Sequence, residues 1–212
     1  MNDISLHDDR SPALPRGRLL FALDATASRE PTWAVARQVT AHMFRAAAPV
    51  GKLDVSLVYY RGATECRASK WVESGEQLVQ LMHKITCESG ITQIGKILSH
   101  ALRETEKAAV GALVFIGDAM EEELEPLAAL AGKLGNAQCP IFAFQEGRDA
   151  RVRAAFRLLA LKSGGEYFEF NPATSHAVEQ LAEQLGAVAR LAVGDIAALE
   201  SIDAAALADQ RG

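Results

Sequence analysis

Five oxygen-bearing side chains stand where three separate stretches of this chain meet apolar runs. Asp24, Thr26 and Ser28 alternate directly after Leu19-Leu20-Phe21-Ala22-Leu23. Thr92 lies in Gly90-Ile91-Thr92-Gln93-Ile94-Gly95, and Asp118 ends Ala112-Leu113-Val114-Phe115-Ile116-Gly117. An extended backbone throws alternate side chains to one side, so Asp24, Thr26 and Ser28 can converge on a point. Two carboxylates with three neutral hydroxyls are hard ligands that suit Mg²⁺, with waters completing an octahedral shell at about 2.0 to 2.1 Å. Mn²⁺ and Ca²⁺ are alternative occupants. Each position also has a plainer role. Ser28, just before Glu30-Pro31, fits a helix N-cap; Thr92 could cap a helix opening at 93, and Asp118 one opening near Glu121. The joint appearance of all five favours a shared cation over three separate caps.

The elements that would position these groups read as alternating strands and helices. Buried strands are expected at 18–24 and 112–118, each a nearly uninterrupted apolar run ending in a carboxylate. Further strands are expected at 53–60, 140–145 and 166–170, and a mixed, edge-like one at 65–72. Pro31 can open a helix carrying Trp33, Val35, Ala36, Val39, Met43 and Phe44. Other helices follow around Leu78–Ile85, after Gly95, at 124–134 and at 150–162, the last stopped by Gly164-Gly165. Six strands interleaved with helices make a doubly wound α/β sheet with helices on both faces. In such a sheet ligands bind beyond the strand carboxyl ends where strand order reverses, between the strands ending in Asp24 and Asp118. Residues 1–16 read as a flexible tail and 17–190 as the domain. The Ala/Leu-rich stretch 174–208 reads as one long helix, of which 191–212 is a C-terminal extension.

Composition narrows the function classes. With 212 residues, 49% hydrophobic and 23% charged, one substantial core is expected. A net charge of -5 argues against a nucleic-acid or anionic-membrane surface. No signal peptide and no membrane-length apolar stretch is visible, and Cys66, Cys87 and Cys139 are odd in number and scattered, so a cytoplasmic protein with reduced thiols is expected. Glu121, Gln145 and Glu146 follow the strand ends and are candidates for the crevice rim, although Glu121-Glu122-Glu123 also suits a solvated helix start. Cys87 could approach the site but has no visible base beside it. The histidines form no local ligand pair.

The pattern Asp24-Ala25-Thr26-Ala27-Ser28, then Thr92, then Asp118 resembles the metal ion-dependent adhesion site (MIDAS) of von Willebrand factor type A (VWA) domains, most closely the small stand-alone bacterial members. All five positions match Asp-x-Ser/Thr-x-Ser, Thr and Asp. Gly117-Asp118-Ala119 stands where many members have Thr-Asp-Gly. The resemblance covers roughly 18–190 and implies a mostly parallel sheet whose edge strand, 65–72, is antiparallel. It also implies binding of a partner protein's Asp or Glu through the metal. The residues point the same way, because a cation held largely by neutral hydroxyls keeps much of its charge and an exchangeable position. Stand-alone relatives often work with AAA+ ATPases or stress-response systems, an analogy at the level of fold. Two rivals stay open. One is a haloacid-dehalogenase-like phosphatase or another Mg-dependent hydrolase, although Thr26 stands where that phosphatase needs a second Asp; the other is a metal-free scaffold. No Walker A or G-x-G-x-x-G motif follows the first strand.

Overall fold

The computed structural model describes residues 16–209, with side chains to 206. The tail expected over 1–16 lies, apart from Arg16, outside the described residues. The strands are β1 Arg16–Asp24, β2 Lys52–Arg61, β3 Glu65–Ala68, β4 Ala112–Gly117, β5 Ile141–Glu146 and β6 Tyr167–Phe170. They form one sheet in the order β3-β2-β1-β4-β5-β6, with β3 antiparallel to β2 and every other pairing parallel. The expected doubly wound sheet with an antiparallel edge is therefore present. Strand order reverses at β1, and the pairing of Leu23 with Ile116 brings Asp24 and Asp118 to the same end of the sheet.

Helices α1 Glu30–Ala47, α2 Gly75–Met82, α3 Ile94–Lys107, α4 Leu124–Asn136, α5 Ala150–Ser163, α6 Ala177–Ala192 and α7 Ala198–Asp209 cover the sheet. Each strand of a doubly covered sheet must be apolar on both faces, and β1 satisfies this with a continuous run. Leu19, Phe21 and Leu23 pack with Trp33, Met43, Leu185 and Val188 on one side. Leu20 and Ala22 pack with Tyr60, Leu98, Phe115 and Phe156 on the other. Each such large side chain, fully buried, contributes about 1.5 to 3 kcal/mol, so β1 is firmly anchored and a rigid base for the Asp24–Ser28 segment at its carboxyl end.

Two expectations change. The edge strand stops at Ala68 instead of running to residue 72; beyond it Ser69 N still donates to Leu57 O at 2.8 Å, and Val72 forms an isolated bridge to Val55. At Leu57 the ladder is interrupted because its N–H donates to the Ser69 hydroxyl at 2.9 Å and not to a backbone carbonyl. The helix expected over 174–208 is two helices. Gly194 (φ +101°) ends α6 in a Schellman arrangement, its N–H donating to Leu191 O at 2.9 Å and that of Asp195 to Arg190 O at 3.0 Å. The chain then folds back, burying Ile202 and Ala206 in the first core while Ile196 and Leu199 stay exposed. The end of α6 presses on the start of β1, where a Cβ at Gly17 would lie 2.1 Å from Ala192 O.

Candidate metal centre

Beyond the carboxyl ends of β1 and β4 lies an open crevice of about 340 Å³, lined by Asp24, Thr26, Ser28, Thr92 and Asp118 together with Ser89, Gly90 and Glu121. All five residues singled out in the sequence thus reach one cavity. Asp24 is 2% exposed, Thr92 is buried, Thr26 and Asp118 are half-buried, and Ser28 is exposed at the lip.

Asp24 is fixed from several sides. Its Oδ1 accepts from Thr26 N at 2.7 Å, which turns the chain out of the strand, and its Oδ2 accepts from the Tyr60 hydroxyl at 3.0 Å. Trp33 Nε1 donates to its carbonyl at 2.8 Å. Burial raises the Asp24 pKa, opposed by the bonds from Thr26 and Tyr60 and reinforced by nearby Asp118. Among the described residues no Lys, Arg or His forms an ion pair with Asp24, in contrast to Asp118 and Glu146, which both pair with Arg29.

Thr92 is delivered by the loop between α2 and α3. Gly90 lies so close to the β2–β3 turn that a Cβ there would meet Gly62 O at 2.2 Å. Ile91 N donates to that carbonyl at 3.2 Å, Gln93 Nε2 to Arg61 O at 3.3 Å, and Glu88 N to Ala25 O at 3.0 Å. The threonine itself is locked by a reciprocal pair: Thr92 N donates to Glu121 Oε2 at 2.9 Å, and Glu121 N donates to Thr92 Oγ1 at 3.0 Å. A hydroxyl held this way keeps its own proton and a second lone pair for another partner.

None of the three capping alternatives is realised. No side chain caps α1, α3 or α4, whose N-cap positions are Arg29, Gln93 and Glu123. The start of α3 is satisfied from a distance instead, Glu122 accepting from Ile94 N at 2.5 Å and Gly95 N at 2.9 Å. Ser28 and Asp118 both meet Arg29: Nε donates to Ser28 Oγ at 3.2 Å, and Nη2 lies 2.9 Å from Asp118 Oδ2.

The expected rim is redrawn. Glu121 lines the crevice, tied to Thr92. Gln145 does not reach it: the side chain is fully buried, donating to Asp149 O at 3.0 Å and accepting from the Tyr167 hydroxyl at 2.7 Å, because the turn into α5 folds over the strand end. Glu146 turns inward to Arg29 Nη1 and accepts from Thr32 Oγ1. Burial pushes its pKa up and Arg29 pulls it down. Arg29 is not singled out in the sequence, Tyr60 reads there as packing alone, and Glu122, which reads with Glu121 and Glu123 as a rim candidate, holds the start of α3. Only Tyr60 carried a findable signal, since parallel pairing of β1 with β2 puts it opposite Asp24. Cys87 and Cys139 are held as thiols, their pKa pushed up to about 12, at Cys139 by burial and at Cys87 by burial followed by its bond to Glu30.

The donor set fits a hard divalent ion. Asp24, Asp118, Glu121 and Glu146 against Arg29 leave a formal charge of about -3, with the most buried carboxylate uncompensated. Among the described residues no three His, Cys, Asp or Glu side chains gather as a metal cluster. The candidate ligands are accordingly two carboxylates and three hydroxyls.

No family model and no curated protein matches the sequence. Solved structures share its fold at low identity. An aerotolerance-related membrane protein from Bacteroides fragilis is 16% identical over 77% of this chain and 94% of its own, with a TM-score of 0.58. The SpRpn10 VWA domain is 11% identical over 85% and 98%, with a TM-score of 0.60. Proximal thread matrix protein 1 from the mussel byssus, in a structure with a zinc-occupied MIDAS motif, is 16% identical over 85% of this chain, with a TM-score of 0.62. This chain spans 46% of the mussel protein's length. At these identities the likeness is one of fold.

Proposed function

We propose that this chain, which has the fold of von Willebrand factor type A domains, is a metal-dependent protein-interaction module. In this reading Asp24, Thr26, Ser28, Thr92 and Asp118 hold a divalent cation whose remaining coordination accepts an Asp or Glu carboxylate from a partner protein. The observation that carries it is Asp24: a buried carboxylate that pairs with no cationic side chain among the described residues, in a crevice shared with Asp118, Glu121 and the hydroxyls of Thr26, Ser28 and Thr92. Burying a charge without a partner is costly, and an ion from solvent would relieve that cost. When bound, the ion supplies a concentrated positive charge with exchangeable ligands.

The chain's own residues do the positioning. Tyr60 and the Thr26 amide fix the Asp24 oxygens, Glu121 fixes Thr92, and Ser28 stands at the exposed lip where a partner would arrive. Mg²⁺ suits these donors, and Mn²⁺ or Ca²⁺ fits the same set. A hydrolase reading is less well supported, because Thr26 occupies the position of the phosphatase's second aspartate. A metal-free scaffold would leave the Asp24 charge uncompensated. An AAA+ ATPase or stress-response component as the partner, and a cytoplasmic setting, complete the proposal. No described helix is long and apolar enough to cross a membrane.

The test is calorimetry and thermal melting with Mg²⁺ and Mn²⁺, followed by partner capture with and without chelator. The wild type should bind the ion and melt at higher temperature with it, Asp24→Ala should do neither, and chelator should abolish capture. Capture indifferent to chelator, or no binding heat at millimolar metal, rejects this function.

A further inference from the structure

Arg29 immediately follows the Asp24–Ser28 motif and is almost entirely buried, its side chain 8% exposed. Its guanidinium reaches two of the five candidate ligands, donating from Nε to Ser28 Oγ at 3.2 Å and lying with Nη2 2.9 Å from Asp118 Oδ2. The third nitrogen, Nη1, pairs with Glu146, whose carboxylate also accepts from Thr32 Oγ1. The guanidinium does not itself line the crevice, but its positive charge is bonded to two residues that do. It stands on the same carboxylate that a divalent ion would use.

We propose that Arg29 is a built-in counter-charge that sets the cation affinity of this site, holding Asp118 through Oδ2 and weakening the attraction for a divalent ion, with Glu146 offsetting it from behind. The inference rests on the metal-binding reading of the crevice. Arg29 is a positioning residue, since it acts through Asp118 and Ser28. Its effect is electrostatic and therefore has a sign. Removing Arg29 takes a like charge away from the ion and leaves Glu146 facing the site, so affinity rises. Removing the Glu146 charge leaves Arg29 unopposed, so affinity falls. A purely structural role for the pair would weaken binding in both cases.

Even at the dielectric of bulk water, a unit charge about 6 Å from a divalent ion is worth about tenfold in affinity, and the sheltered crevice screens less. The experiment is calorimetric titration of the full chain with Mg²⁺ and with Mn²⁺, using wild type, Arg29→Lys, Arg29→Gln, Glu146→Gln and the double variant Arg29→Gln/Glu146→Gln. Metal-free melting checks that each folds. Arg29→Gln should bind about tenfold tighter or more, Glu146→Gln weaker than wild type, and Arg29→Lys close to wild type. Equal or weaker binding by folded Arg29→Gln overturns the inference while leaving the metal site intact. If Arg29→Gln fails to fold because Glu146 is stranded, the double variant decides: it must bind tighter than Glu146→Gln, and equal or weaker binding overturns the proposal. Absence of binding in the wild type and in every variant defeats the metal reading itself, and this inference with it.

Discussion

Both ends of the sheet bury carboxylates, but they treat them differently. At the amino end Asp54 receives Arg16 Nη1 at 2.8 and 2.9 Å on its two oxygens. Glu104, 6% exposed, receives Arg18 at 2.9 Å, Lys107 at 2.6 Å and Trp71 Nε1 at 3.1 Å, while Arg18 stacks 3.8 Å above the Trp71 ring. At the carboxyl end Asp24, buried more deeply still, receives neutral donors among the described residues: the Thr26 amide and hydroxyl and the Tyr60 phenol. A buried acid matched to a cation closes a structure, because its charge is neutralised within the fold. A buried acid given only neutral donors carries a charge that the fold leaves unneutralised and that burial disfavours, and a cation drawn from solvent would relieve that cost.

The comparison breaks most visibly at Glu104. Glu104→Ala leaves Arg18 without its carboxylate and should cost about 3 kcal/mol in denaturant unfolding, while Mg²⁺ binding stays unchanged. A cost well below that would mean that the amino-end cluster is not a closed structural element.

Neutralising Asp24 should act in the opposite direction. Asp24→Asn removes an unmatched buried charge and keeps the shape, so the metal-free protein should be about 1 kcal/mol more stable. The same variant should lose the increment, about 2.7 kcal/mol at an ion concentration 100 times Kd, that Mg²⁺ gives the wild type. Destabilisation on the scale of Glu104→Ala would erase the distinction between the two ends.

The smallest effect is the pH dependence, which sharpens the contrast through its sign. Burial pushes the Glu104 pKa up, but the bonds from Lys107 and Trp71 outweigh it and hold the group below the ordinary value of 4.5. Its stabilising contribution is therefore present above 4.5 and lost as pH falls through the lower folded value. Asp24 lies above the ordinary 3.8, chiefly through burial. The contribution of its protonated form is present below 3.8 and is lost as pH rises through the folded value. Metal-free stability measured across the acid range should thus slope upward with pH for wild type relative to Glu104→Gln, and downward relative to Asp24→Asn. Slopes of one sign would show that the two carboxylates sit in equivalent surroundings.

The sequence by itself determined the alternation of strands and helices and which five oxygen-bearing residues, Asp24, Thr26, Ser28, Thr92 and Asp118, reach the crevice. Both are carried by local order: an apolar run of strand length ending in Asp24 or Asp118 needs no knowledge of distant residues, and the topology of a doubly wound sheet then sends both ends to one crevice. Even the break between α6 and α7 was written locally, in Gly194, although the apolar stripe continuing past it favoured a single helix. Tertiary structure alone decided how the crevice residues are held. Glu121 and Glu122 reach back across the crevice to Thr92 and the start of α3, Gln145 is buried beneath the turn into α5, and Arg29 divides its guanidinium between Asp118 and Glu146. These partners are far apart along the chain or face a turn whose path sequence leaves open, so no local periodicity could pair them. Charge pairing is set by distance in space, and that distance exists only once the sheet has brought the strand ends together.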